Sequence, residues 1–314
     1  MIFRSDLVLE AKEMIDEKRA SQMEAEHQLP EGVIADTEEK EEYRVTRIRI
    51  ESPEAAQKLG KNQGNYITIE LKTEEISSLD LQKQIAHTLS AEMNLFTGQL
   101  DKDDPSVMIV GLGNRSITPD SLGPRVVDRM VVTRHLKSNE QLRQHLDTRM
   151  GTVCAVAPGV MGITGIETGA ILQGLIDVAH PDMVIAVDAL ASRKTSRVNT
   201  TIQISDTGIV PGSGVGNRRM ELSKNTLGIP VIAIGVPTVV DALTMTCDLL
   251  EKATGKEPDE ATLERLSDTY GSEMIVTPKN IDVAIERMCI AISNGLNMAF
   301  HKGFDTADVH EYLM

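Results

Sequence analysis

The sequence predicts an α/β fold: a mostly parallel central sheet with helices on both faces, plus an N-terminal β-containing insertion. Three observations predict it. Near-continuous apolar runs of strand length, VMIVGL, TVCAVAP, MVIAVDAL and IPVIAIGV, need cover on both faces. Helix-forming segments lie between them, so strand and helix alternate as they do in parallel sheets. At 314 residues, the chain is long enough to bury such a core, in one large domain or two smaller ones.

Taken in order, the first 30 residues are highly charged and helix-forming and end at Pro30. The polar stretch 31–42 reads as a connection. Residues 43–51 (YRVTRIRIE) and 65–72 are rich in β-branched residues, and Ile67, Ile69 and Leu71 alternate as in a half-buried strand. A short helix, SPEAAQKLG, separates them, so that about 43–75 forms a small β-containing subregion. A helix follows from about Leu79 to Phe96. From Ser106 the strand–loop–helix pattern begins, and Thr118-Pro119 offers an N-cap and first-turn proline for a helix running to about Leu136. TGIETGAILQGLIDVA and TVVDALTMTCDLL supply further helices, and a last one covers about Ile281 to His301.

Composition excludes several classes of function. Lys+Arg 32 against Asp+Glu 47 gives 32 − 47 = −15, which disfavours DNA or an anionic membrane as partner. Aromatic residues are 3% and Trp is absent, so stacking platforms for single-stranded nucleic acid or sugars are disfavoured. Cys154, Cys247 and Cys289 lie in apolar segments without CxxC spacing and read as reduced core thiols. The charged N-terminus reads as no signal peptide, and no apolar stretch is long enough to span a membrane, so an intracellular protein is expected.

Residues 111–124, GLGNRSITPDSLGP, follow an apolar strand and raise a choice between cradling a phosphate and holding a carboxylate. A dinucleotide fingerprint needs a third glycine where Ser116 stands, and no GK[ST] occurs for a P-loop. The carboxylate reading is favoured: Asp120 follows a proline at a helix start, and a second acid, Asp188, ends the buried strand MVIAVD. An ionisable group there is costly unless it has a task, and two carboxylates at neighbouring strand ends can share a proton and activate a water. Asp206, in the DTG triplet of ISDTGIVPGSGVGN, is the alternate acid, and its loop is either a glycine-rich turn or a cover over the crevice. Thr164 and Glu167 in PGVMGITGIET stand at a helix start, as caps or, like Asp206, as alternate catalytic or substrate-binding groups. The seven histidines are scattered, and no metal or other cofactor is expected.

Several long stretches resemble one family, the germination proteases of spore-forming bacteria: GLGNRSITPDSLGP, APGVMGITGIET, PDMVIAVDALASR, ISDTGIVPGSGVGNRR, LGIPVIAIGVPTVVDA and VTPKNID, with FRSDLVLEA near the N-terminus. The resemblance covers essentially the whole chain. It implies a phosphorylase/hydrolase-like α/β sheet, similar to that of the hydrogenase-maturation proteases. It further implies a homotetrameric endopeptidase of the cytoplasm of the forespore and spore core. Such an enzyme degrades small acid-soluble spore proteins when germination begins, with catalytic aspartates falling on Asp120 and Asp188. Members are made as precursors that cut themselves near the N-terminus. Ser5-Asp6-Leu7-Val8-Leu9-Glu10 carries the pattern of an acid, a large apolar residue, aliphatic positions and an acid. Cleavage between Asp6 and Leu7 is expected, giving a pro-segment of 1–6 and a single peptidase domain of 7–314; otherwise Asp6 is a helix cap. The competing readings are a metal-dependent peptidase of the hydrogenase-maturation type using the same acids, and a non-enzymatic binding module.

Overall fold

A computed structural model describes residues 5–21, 30–98, 100, 102–212, 219–255, 258–270 and 274–313. Residues 1–4 of the expected pro-segment and 213–218 of the glycine-rich loop lie outside them. Among the described residues, nine strands form one sheet: β1 Val33–Glu39, β2 Tyr43–Ile50, β3 Gly64–Leu71, β4 Ser106–Gly111, β5 Thr152–Val156, β6 Met183–Ser192, β7 Thr201–Ser205, β8 Val231–Asp241 and β9 Ile275–Val276. Their order is β1-β2-β3-β7-β8-β6-β4-β5, with β9 against β8.

The four apolar runs do form parallel neighbours, β8-β6-β4-β5. The sheet as a whole is mixed, because β1, β2, β3 and β7 pair antiparallel and β7 runs antiparallel to β8. The 43–75 subregion extends the same sheet through β3 and β7. Three strands were not expected, β1, β7 and the two-residue β9. VIADTEE pairs along its length with β2 but has several exposed positions, so its polar composition hides an edge strand. TIQIS is fully buried between β3 and β8.

Side-chain alternation distributes the core. Val107, Ile109, Ile185 and Val187 meet α3 (Leu79–Thr97) and the long helix Ile281–Phe300 on one face through Leu81, Ile85, Leu89, Ile285, Met288 and Ile292. Their neighbours Met108, Val110, Val184 and Ala186 meet Leu172 and Ile176 of the helix Thr168–Ala179 on the other. Helix α1 (Val8–Ser21) packs Val8 and Leu9 against Val33, Ile48, Ile50 and Tyr66, together with Ala55 and Leu59 of α2 (Pro53–Leu59).

The single helix expected over 118–136 is broken. A 3₁₀ turn covers Thr118–Asp120, α4 covers Leu122–Val127, and a separate turn of helix covers Arg134–Lys137. Thr118 does not cap it; the residue before the turn is Ile117, with no side-chain cap bond. Residues 238–241 extend β8 instead of opening a helix, and Asp241 caps the following helix through the Thr244 N–H (2.8 Å).

Candidate active site

Along the chain, β4 is followed by β5 on one side of it and then by β6 on the other. The connections therefore leave β4 and β6 in opposite directions, and the crevice beyond their carboxyl ends is the sheet's topological switch point. Asp120 lies in the turn after β4, and Asp188 lies in β6 just past the last residue paired with β4, where Gly111 meets Val187. The structure brings these two predicted residues to the same crevice.

The glycines of the GLG turn serve the carboxylate. Gly113 has φ +108°, and a Cβ there would run into the Asp120 carbonyl and carboxylate. A Cβ on Gly111 would run into the Gly123 backbone, and one on Gly123 into the backbone of Leu112 and Val187. The turn is folded back onto itself, with Leu112 N–H donating to the Val187 carbonyl (2.8 Å) and Asn114 N–H to Asp120 Oδ2 (2.7 Å).

Burial raises the Asp120 pKa, opposed by the Asn114 N–H. Asp188 is 5% exposed and is pushed well above the usual carboxylate range, first by burial and next by the charge of Asp120. The Ala189 N–H, donating to Asp188 Oδ1 at 2.9 Å, opposes the rise, and Asp6 adds to it. Both carboxyl groups are thus held above the ordinary carboxylate range, Asp188 well above it.

The other predicted residues have different surroundings. Both oxygens of Asp206 accept from Asn65, from its backbone N–H (2.8 Å) and its side-chain amide (2.6 Å), which ties the end of β7 to the start of β3. The Thr164 hydroxyl donates to the Ile166 carbonyl (3.0 Å) within its own turn. Glu167 precedes the helix Thr168–Ala179 and accepts from the Met220 N–H (3.3 Å), fastening the far end of the glycine-rich segment. Met161 and Ile163, in the short helix Met161–Thr164 that follows β5, and Ile166 just beyond it are exposed and form an apolar rim there.

Asp6 and Leu7 are not at a loose end. Leu7 and Val8 are fully buried. Asp6 N–H donates to the Ala191 carbonyl (3.0 Å), and its carboxylate accepts from the Ala191 N–H (2.9 Å), where the β6–β8 ladder slips by one residue. Ser5 Oγ accepts from the Leu7 N–H (3.1 Å) at the start of α1. Two residues that the sequence did not single out hold this segment: Lys61, in the turn between α2 and β3, and Gln203, in β7. A lone lysine in a polar turn and a glutamine in an overlooked strand carry no motif that could have marked them.

Among the described residues, no group of three or more His, Cys, Asp or Glu side chains gathers as a metal site. Cys154, Cys247 and Cys289 are free thiols, and burial pushes Cys289 up to about 12. No helix among the described residues is long and apolar enough to cross a membrane.

A family model described as germination protease matches residues 8–264. The chain is 39% identical to the germination protease of Clostridium acetobutylicum, over 99% of this chain and 98% of that one. It is 42% identical to that of Caldanaerobacter subterraneus, with the same coverage, and 39% identical to that of Bacillus cereus, over 98% of this chain and 96% of the relative. Among solved structures, the nickel–iron hydrogenase maturation protease HycI of Thermococcus kodakarensis aligns with 63% of this chain and 99% of its own, at 17% identity and a TM-score of 0.27, too low to carry an argument. With two acids converging at the switch point and a family model spanning most of its length, the chain belongs to the germination protease family.

Proposed function

We propose that this protein is an endopeptidase that starts the degradation of small acid-soluble spore proteins at germination, using Asp120 and Asp188 as a water-activating pair. Membership of a protease family carries the hydrolysis of peptide bonds. The observation that carries the dyad is the convergence of the two carboxyl groups at the switch point, with Asp188 enclosed and raised partly by Asp120's charge. Ionised Asp120 takes a proton from water as the water oxygen attacks the scissile carbonyl carbon. Protonated Asp188 then gives its proton to the leaving amide nitrogen. The net charge of −15 suits a basic substrate, and the apolar rim at Met161, Ile163 and Ile166 suits the large apolar residue after the cut. Asp206, Thr164 and Glu167 act in this reading as supports of the cleft.

The protein is made as a precursor in the cytoplasm of the developing spore, removes residues 1–6 by cutting Asp6–Leu7, and works as a homotetramer, which sedimentation tests. Asp6 lies within electrostatic reach of Asp188, which supports this choice of bond.

The test is incubation of the purified precursor with a basic spore protein, following both cuts by mass. The new N-terminus is expected at Leu7. Asp120→Asn and Asp188→Asn are each expected to slow both reactions by about 10²- to 10⁴-fold. The rate is expected to climb with pH as Asp120 ionises and to drop again as Asp188 loses its proton. Wild-type rates in both variants would end the dyad reading.

A further inference from the structure

The carbonyl oxygen of Asp6 belongs to the Asp6–Leu7 peptide bond, and two side-chain donors converge on it. Lys61 Nζ donates at 2.8 Å and Gln203 Nε2 at 3.4 Å. The orientation of the Gln203 amide is fixed independently, because its Oε1 accepts the Val8 N–H at 2.7 Å, which leaves the NH₂ group facing Asp6. Gln203 thus grips the chain on both sides of Leu7. The Lys61 ammonium also donates to the Ser5 carbonyl (3.2 Å); burial lowers its pKa, and the nearby carboxylates of Asp6 and Glu10 oppose the fall and favour the charged form. Here a cation and an amide from two separate elements meet at one oxygen.

Resting on the self-cleavage reading above, we propose that Lys61 and Gln203 form the oxyanion-binding pair of this protease. As water oxygen bonds to the Asp6 carbonyl carbon, the π electrons of the carbonyl move onto its oxygen, where the ammonium and the amide receive the negative charge. One water proton passes to Asp120. Collapse of the adduct breaks the carbon–nitrogen bond, the Leu7 nitrogen takes the proton of Asp188, and the products are an Asp6 carboxyl group and a Leu7 amine. An ammonium fixed in an enclosed site stabilises a developing oxyanion more than the neutral carbonyl, as transition-state stabilisation requires. Departure of residues 1–6 removes both the Ser5 and Asp6 carbonyls from Lys61, which leaves its ammonium directed at the place where a substrate carbonyl would lie.

The test uses the full-length precursor. Lys61→Met is expected to slow appearance of the Leu7 N-terminus by about 100-fold or more, with the Val8 amide still protected from hydrogen exchange. Lys61→Gln, which keeps a neutral donor and serves should the methionine variant not fold, is expected to slow it by about 10-fold. Cleavage at the wild-type rate in both variants overturns the proposal. So does slowing accompanied by loss of Val8 protection, since Lys61 would then be only a tether. Unsubstituted protein that begins anywhere but Leu7 overturns the underlying reading and this one with it, and is recognised before any variant is made.

Discussion

Asp188 is a carboxylic acid held where its ionised form is disfavoured, and this has a consequence for stability. Its folded pKa lies above the ordinary 3.8, so between those two values the unfolded chain is ionised while the native protein keeps the proton. Raising the pH through that window favours unfolding; below 3.8 the penalty is absent. Asparagine has no such proton to lose. Asp188→Asn is therefore expected to be the more stable protein at pH 8, with the gain shrinking as pH falls toward 4. Urea unfolding at several pH values checks this, and a variant less stable than wild type at pH 8 would contradict it. Of the site, Asp120 and Asp188 were legible as acids next to strand ends. Lys61 and Gln203 were not, because their significance is the position of one carbonyl far away in sequence.

Among the elements, the N-terminal helix is fastened chiefly by charge. Glu10, 1% exposed, accepts from the N–H groups of Arg193 (2.6 Å) and Lys194 (2.9 Å) and from the Ser5 hydroxyl. Arg197 bonds Glu13 from α1 (2.5 Å) and Glu70 from β3 (2.9 Å) and lies 3.4 Å from Glu10. Burial alone would raise Glu13, but Arg197 and Lys194 outweigh it and bring it to about 2. Removing the guanidinium leaves Glu70 and Glu10 buried without it, so Arg197→Met is expected to cost about 3–5 kcal/mol. Limited proteolysis of α1 and a urea midpoint measure this; an unchanged midpoint would show the network to be dispensable. Strand legibility followed the length of the apolar run. β4, β5, β6 and β8 were read directly because each carries a near-continuous apolar run, whereas β1 was missed because a sheet edge tolerates charge. β7 was missed because TIQIS reads as the approach to a glycine-rich loop. The helix expected over 118–136 is interrupted, and its middle piece, α4, lies so close to the sheet that a Cβ on Gly123 would meet the backbone of Leu112 and Val187.

Across the whole molecule, His301 ties the end of the last long helix to the sheet's β5 side. Its Nδ1 accepts the Gly151 N–H (3.1 Å), and its Nε2 donates to the Val131 carbonyl (3.0 Å), an arrangement that requires the neutral ring. Burial lowers its pKa from 6.5 to about 4. The unfolded chain therefore takes up a proton first as pH falls, so the stability that His301 contributes is complete above 6.5 and is lost progressively toward 4, roughly 3 kcal/mol in all. Acid unfolding that begins below pH 6.5, and is displaced to lower pH in a His301→Asn variant that still folds, is the expected result. Equal pH dependence of the two proteins would place the acid sensitivity elsewhere.

The sequence by itself determined that this is an α/β chain, that it belongs with proteases of one family, and that two acids stand beside strand ends. Apolar periodicity and long motif strings are local properties and survive without coordinates. Only the tertiary structure decided that the sheet is mixed, that the acids share a switch point, and that Asp6–Leu7 is clamped by Lys61 and Gln203. These depend on strand order and register, which pair residues as far apart as 6 and 203, and no local pattern specifies such pairings.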